Sequence, residues 1–199
     1  MDYLKPVLRS AGKVARIYYS GACKEGHVYG ALFPPIDVQA PLGNDTGFDA
    51  VRDIFRNEVD VSVAAGQDGI IRIVIGRVPV SILNTQIAVL SFVPSQQYSF
   101  NPALWRITDS NEVSAAERKL GVSASEPPVR TSLLMEPAEG LPHLPASMTN
   151  VTLDQALDVV ATTFEGIIFY GTCTEPDRYV IYFEKLEPPQ GFPRPMSKP

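Results

Sequence analysis

The chain of 199 residues is poor in the side chains that most often form metal sites and covalent catalytic centres. It contains two cysteines, two histidines and one tryptophan. It also lacks the signatures of dinucleotide sites, phosphate-binding loops, serine hydrolases and zinc proteases: G-x-G-x-x-G, G-x-x-x-x-G-K-S/T, G-x-S-x-G and H-E-x-x-H. These absences predict a protein that is not an enzyme and that has no cofactor-binding or metal-binding residues.

Positive charge is also scarce, because 17 lysines and arginines face 22 aspartates and glutamates, and the net charge is −5. A surface that binds nucleic acid needs clustered basic side chains, and this sequence has no such cluster, so we expect no nucleic acid partner. No run of about 18 apolar residues occurs, so we expect no transmembrane segment. With 45% hydrophobic and 20% charged residues, the composition is that of a folded globular protein.

The two cysteines occupy similar sequence settings. Cys23 ends the run RIYYSGAC and Cys173 ends the run IIFYGTC, so each should lie just beyond the end of a strand. We predict a disulfide between Cys23 and Cys173, which would indicate an oxidising compartment such as a periplasm. Closing a loop of about 150 residues would stabilise the fold by up to ~5 kcal/mol. The alternative is two unpaired thiols that pack as small hydrophobic side chains.

The same residues allow two chemical alternatives. Cys23 and His27 have a C-x₃-H spacing, and His143 with Cys173 would complete a Cys₂His₂ zinc site. A cysteine nucleophile with a histidine base would also draw on these residues, although no family-specific motif surrounds either cysteine. We expect both histidines to be exposed to solvent. The alternative function is therefore a small enzyme, or a ligand- or metal-binding protein, with its site around Cys23, His27 and Cys173.

A helix followed by two strands is predicted over residues 152–183. Thr152 and Gln155 have the spacing of a capping box, in which each side chain accepts a hydrogen bond from the other residue's backbone N–H. The runs FEGIIFYG and RYVIYFEKL then read as two strands joined by a turn. The predicted buried stripe of the helix consists of Leu153, Ala156, Leu157, Val160 and Ala161.

A fainter copy of this αββ unit covers residues 46–75, with Phe48 matching Leu153. We therefore predict an α+β fold of two small αββ-type modules with mixed sheets and with helices packed on one face. One domain in which the two halves share a sheet is the alternative. The polar helix faces carry four acidic side chains that we expect to be solvated charges. They are Asp49, Asp53, Asp154 and Asp158.

The predicted division of the chain has four parts. Residues 1–122 form an N-terminal αββ module with leading strands, and residues 123–150 form a proline-rich connector. Residues 151–187 form the C-terminal αββ unit, and residues 188–199 form a flexible tail. Within the first part, SILNTQIAVL has the apolar spacing of a helix and ALWRIT reads as a short strand or turn.

The sequence NVTLDQALDVVATTFEGIIFYG resembles the short N-terminal domain shared by secretins and TonB-dependent receptors. The likeness is strongest over residues 151–157 and weaker over residues 48–75, and VPVSILNTQIAVL is similar to the second helix of that family. No secretin pore sequence or receptor plug sequence follows. The resemblance implies a non-enzymatic interaction or assembly module of the periplasm or cell envelope that binds a protein partner. It also implies export, with the native signal peptide replaced by Met1; a cytoplasmic protein is the alternative.

Overall fold

The computed structural model of the chain describes residues 3–22, 33–41, 47–66, 68–125, 139–173 and 178–186. These residues form six α-helices and eight strands. The helices are α1 (Leu4–Ser10), α2 (Phe48–Ile54), α3 (Pro94–Gln97), α4 (Phe100–Thr108), α5 (Asn111–Leu120) and α6 (Leu153–Thr163), with a 3₁₀ turn at Ile82–Asn84. The strands are β1 (Ala15–Gly21), β2 (Val61–Ala65), β3 (Ile71–Ile75), β4 (Gln86–Ser91), β5 (Ser123–Ala124), β6 (Ser147–Thr152), β7 (Gly166–Cys173) and β8 (Arg178–Lys185).

Six of the strands form one mixed sheet in the order β2-β3-β1-β7-β8-β5. The central strand β1 is parallel to both β3 and β7. Strand β2 runs antiparallel to β3, β8 runs antiparallel to β7, and the outer strand β5 runs parallel to β8. The remaining strands β4 and β6 form an antiparallel pair. The predicted α+β class with mixed sheets is therefore confirmed.

The main sheet is covered by helices on both faces. Ala15, Ile17 and Tyr19 of β1 share a core cluster with α1 and α2, whereas Tyr18 shares a second cluster with α4, α5 and α6. The expectation that helices pack on one face is therefore wrong. The chain passes from β1 to β3 through α2, and then crosses β1 in the opposite direction to reach β7 through α6. Because such crossovers have one preferred hand, opposite directions put the helices on opposite faces.

Both αββ units are present, as α2-β2-β3 and α6-β7-β8, but they share one sheet, which was the alternative arrangement. The first unit places its second strand against β1, and the second unit places its first strand there. The units are thus alike locally without being equivalent in the sheet. The predicted connector over residues 123–150 contains β5 and most of β6, which pair with β8 and β4, so it is not only a linker.

Two predictions between the units are wrong. The segment SILNTQIAVL forms the 3₁₀ turn and β4 instead of one helix, because pairing with β6 satisfies its backbone. The segment ALWRIT belongs to α4, where Ala103, Leu104 and Ile107 face the core at helical spacing. Two further runs of the sequence, VRTSLLME and VYGALF, also read as strands. The first run, nearly all of the second and the predicted tail lie outside the described residues.

Candidate functional site

A fully buried arginine joins the centre of the sheet to α6. Arg16 lies on β1, and its side chain is 0% exposed. Its Nη1 donates to Asp158 Oδ1 at 2.6 Å and to the carbonyl oxygen of Asp154 at 2.9 Å. Its Nη2 donates to Asp154 Oδ1 at 2.7 Å, and the Tyr18 hydroxyl lies 3.1 Å from the same oxygen. One guanidinium therefore holds two carboxylates that are one helical turn apart.

A second arginine extends this network along the sheet. Arg72 of β3 is the register partner of Arg16, and its Nη2 donates to Asp158 Oδ2 at 2.6 Å. Arg72 also donates to Asp68, and this hydrogen bond lowers the pKa of the Asp68 carboxyl. Asp158 thus lies between two neighbouring cations and offsets their repulsion. Burial nevertheless raises the pKa of Asp158 above its ordinary value, against the lowering effect of Arg16.

The expectation of solvated acids is therefore wrong for Asp154 and Asp158, whose side chains are 28% and 14% exposed. It is also wrong for Asp53, which is 17% exposed and forms an ion pair with Arg56. Both carboxylate oxygens of Asp158 accept hydrogen bonds from arginines. Burial raises the pKa of the Tyr18 hydroxyl, so Tyr18 stays protonated. These side chains hold the sheet and α6 together, and we call them the clamp. On α2, Asp49 pairs with Arg52 and is 63% exposed, as expected for a solvated charge.

The sequence alone does not predict this network, because Arg16 and Arg72 each lie within a run that reads as an apolar strand. Arg16 interrupts the run VARIYY, and Arg72 interrupts IIRIVI. A charge within a strand that is covered on both faces must find a buried partner, because an unpaired buried charge is very costly. An arginine inside an apolar strand therefore indicates a buried ion pair, but the sequence does not reveal which carboxylates would pair with the arginines.

The predicted disulfide is only half within the described residues. Cys173 ends β7, is 7% exposed and is the register partner of Gly21 at the end of β1. Cys23 and His27 lie outside the described residues. Cys23 follows Gly21 by two residues, a chain distance of at most about 7 Å, so the register supports the predicted pairing without testing it.

His143 is packed against an aromatic ring. Its ring is stacked on Tyr98 with the ring centroids 5.1 Å apart, and its Nδ1 lies 3.1 Å from the carbonyl oxygen of Leu141. Its side chain is exposed, as expected. Over the described ranges, no three His, Cys, Asp or Glu side chains are grouped so that they could hold a metal ion. Cys23 and His27, two ligands of the Cys₂His₂ alternative, lie outside those ranges, so this alternative stays a prediction.

In the described part of the chain, β2 forms one edge of the main sheet, and its outer side has no partner strand. Gly76 N–H donates to Asp60 O, and Gly66 N–H donates to Ile70 O. These two bonds show which residues of β2 are hydrogen-bonded to β3, namely the even-numbered ones. In an antiparallel pair, alternate residues bond to the partner strand. Val63 and Ala65 therefore direct both their N–H and their C=O groups away from β3, towards the edge.

The side chains of β2 do little to block this edge. The strand reads VSVAA, with no proline and no charged residue, and Val59 just before it is 97% exposed. Natural edge strands are commonly protected by lysine, proline or a bulge against pairing with other chains. We name this feature the β2 edge, meaning the outward backbone groups of residues 61–65.

In comparisons with known proteins, no family model, no curated protein and no solved structure matches the chain. The class that the fold defines is an α+β protein with one mixed six-stranded sheet. In the described part of the chain, no helix has the length and apolar character needed to cross a membrane.

Proposed function

We propose that this chain is a non-enzymatic interaction and assembly module of the cell envelope, and that it joins to a second copy of itself through the β2 edge. The observation that carries this proposal is the row of backbone groups at Val63 and Ala65 that have no partner among the described residues. The resemblance of residues 151–157 to the secretin and TonB-dependent receptor domain supports the assignment to the envelope. An edge strand gains most of its affinity from main-chain hydrogen bonds to an added strand.

The β2 edge is self-complementary in an antiparallel arrangement. A two-fold axis at Val63 would pair Val63 with its copy and Val61 with Ala65 of the other chain. The Val61 C=O can accept from Ala65 of the other chain, whereas the Val61 N–H already donates to Glu58 O at 3.3 Å. The half-buried side chains of Val61 and Val63 lie on the α2 face, so the valines of the two chains would meet there. Such pairing would join two six-stranded sheets into one.

The charges at the two ends of β2 favour the same arrangement. Glu58 and Asp60 precede the strand. The turn that follows it carries Asp68, whose charge is paired with Arg72, and it passes close to Lys13, whose Nζ lies near Gly69. Antiparallel pairing brings the acidic end of one strand to the turn end of the other. It also keeps the acidic ends of the two chains apart, which a parallel arrangement would not do.

Light scattering coupled to size exclusion tests this proposal on the whole chain. We expect a dimer that dissociates on dilution, and we expect Ala65→Pro to be monomeric. The proline removes an outward N–H that does not bond to β3, so the strand itself should remain folded. Ser62→Thr changes an exposed side chain, leaves every N–H in place, and should still form the dimer.

Circular dichroism of each variant must match that of the parent chain. A chain that is monomeric at every concentration, or an Ala65→Pro variant that dimerises as the parent does, would overturn the proposal. A monomer that gains mass only with another protein would also overturn the choice of a second copy as the partner.

A further inference from the structure

A cavity of about 150 Å³ lies at the carboxyl end of β7. Thr172 and Cys173 at the end of β7 line it together with Ser81, which follows β3 in the chain. The residues that follow β3 pack on the face of the main sheet that α6 covers. Helix α2, which follows β1 in the chain, packs on the opposite face. Ligands of open α/β sheets commonly bind where connections diverge at the carboxyl ends of parallel strands. The cavity lies on the far side of β1 from the β2 edge.

Most polar groups around the cavity are already bonded. Tyr170 donates its hydroxyl to the carbonyl oxygen of Pro79 at 2.9 Å, and the Tyr179 hydroxyl bonds to Glu117 at 2.9 Å. The Thr172 hydroxyl bonds to the carbonyl oxygen of Tyr19. These groups shape the wall, and burial raises the pKa of Tyr170, so it stays a neutral donor. A ligand would not compete easily for any of them.

Two polar side chains of the lining remain available. Arg178, the first residue of β8, and Ser81 are both exposed to solvent. Within the described ranges, Arg178 has no ion pair and the Ser81 side chain has no hydrogen bond. The other side of the lining is apolar and is formed by Ile82, Leu120 and Val122. Among its described lining residues, the cavity therefore combines an apolar wall with a solvent-exposed arginine that has no ion pair.

We propose that this cavity binds a small organic anion, a carboxylate attached to a single aromatic ring or a short branched chain. A cavity of this volume can hold one benzene ring, which sets the size of the apolar body. The guanidinium of Arg178 takes the carboxylate, and the Ser81 hydroxyl is a second donor for it. This function is separate from assembly through the β2 edge and does not depend on it.

Amide NMR titration of the whole chain with phenylacetate tests the site. We expect saturable shifts at Thr172, Cys173 and Val122, with a dissociation constant on the order of 1 mM for so small a ligand. Phenylacetamide has the same shape without the charge, and should bind about tenfold more weakly.

Variants separate the charge from the shape of the site. Arg178→Gln should reduce phenylacetate affinity about tenfold, to that of phenylacetamide, and Leu120→Trp should fill the cavity and abolish binding. Arg52→Gln makes the same charge change on α2, on the opposite face, and should bind as the parent does. The proposal is overturned if the lining residues show no saturable shifts, if the two probes bind equally, or if Arg178→Gln binds phenylacetate as tightly as the parent chain.

Discussion

Among single residues, Arg16 has the largest consequences for the fold. Its guanidinium is surrounded by the sheet and α6, and its charge is balanced by two carboxylates from one helix. Such an arrangement adds little stability over a well-packed apolar core, but it is very sensitive to the loss of one partner. It also fixes the rotation and height of α6, because only one placement brings both Asp154 and Asp158 to the same guanidinium.

Asp158→Asn should lower the free energy of unfolding by about 3 kcal/mol, because Arg16 and Arg72 would both lose a charged partner in a buried setting. Urea denaturation measures this directly. Asp49→Asn is the matched control, since Asp49 forms only an exposed pair, and should change stability by less than about 0.5 kcal/mol. Equal effects of the two substitutions would contradict the assignment of Asp158 to the clamp.

Among the elements, α6 is the one that the sequence describes best. Gln155 N–H donates to Thr152 Oγ1 at 3.1 Å and Thr152 N–H donates to Gln155 Oε1 at 2.8 Å, so the predicted capping box is confirmed. Every residue of the predicted stripe is buried. Helix starts of this kind are decided by neighbours in the sequence, which is why pattern reasoning succeeds there.

The segment from Ile82 to Leu90 is one whose secondary structure the apolar pattern does not predict correctly. Ile82, Leu83, Ile87 and Leu90 are all buried, as a helical face would require. The choice between helix and strand depended on β6, a partner some sixty residues away whose pairing no local pattern reveals. Short apolar runs are ambiguous between helix and strand for this reason.

Thr152→Ala should lower the free energy of unfolding by about 1 kcal/mol, because the first turn of α6 would lose its cap. Thr162→Ala provides the comparison, since its hydroxyl bonds to the Asp158 carbonyl within the same helix and caps neither end. We expect that variant to stay within about 0.5 kcal/mol of the parent chain by thermal or urea denaturation. A larger loss at Thr162 than at Thr152 would contradict the capping role.

At the scale of the whole molecule, β1 is the strand that unites the two αββ units. Local patterns predicted both units, but not that β3 and β7 flank the same strand, since sheet order is set by long-range pairing. The sequence also does not predict that β2 lies at an edge, because an alternating strand has the same pattern at the edge of a sheet as inside it. The Arg16 network belongs to this scale too, since it needs β1, β3 and α6 together.

The predicted Cys23–Cys173 disulfide would tie the ends of β1 and β7. We expect the purified chain to have the mass of the reduced form less two hydrogens, and to resist alkylation until it is reduced. Reduction should lower stability by up to ~5 kcal/mol, and should have no effect on a Cys23→Ser, Cys173→Ser double variant. Two thiols that alkylate in the folded chain would contradict the disulfide and weaken the assignment to an oxidising compartment.

The central claim is that β2 pairs with β2 of a second copy, and amide hydrogen exchange tests it most directly. Ser62 and Ala64 direct their N–H groups to β3, so their exchange should be slow at every protein concentration. Val63 and Ala65 direct theirs to the edge, so their exchange should be fast in dilute solution and should slow by at least about tenfold as the dimer forms. Fast exchange of Val63 and Ala65 at all concentrations, with Ser62 and Ala64 protected, would contradict assembly through this strand.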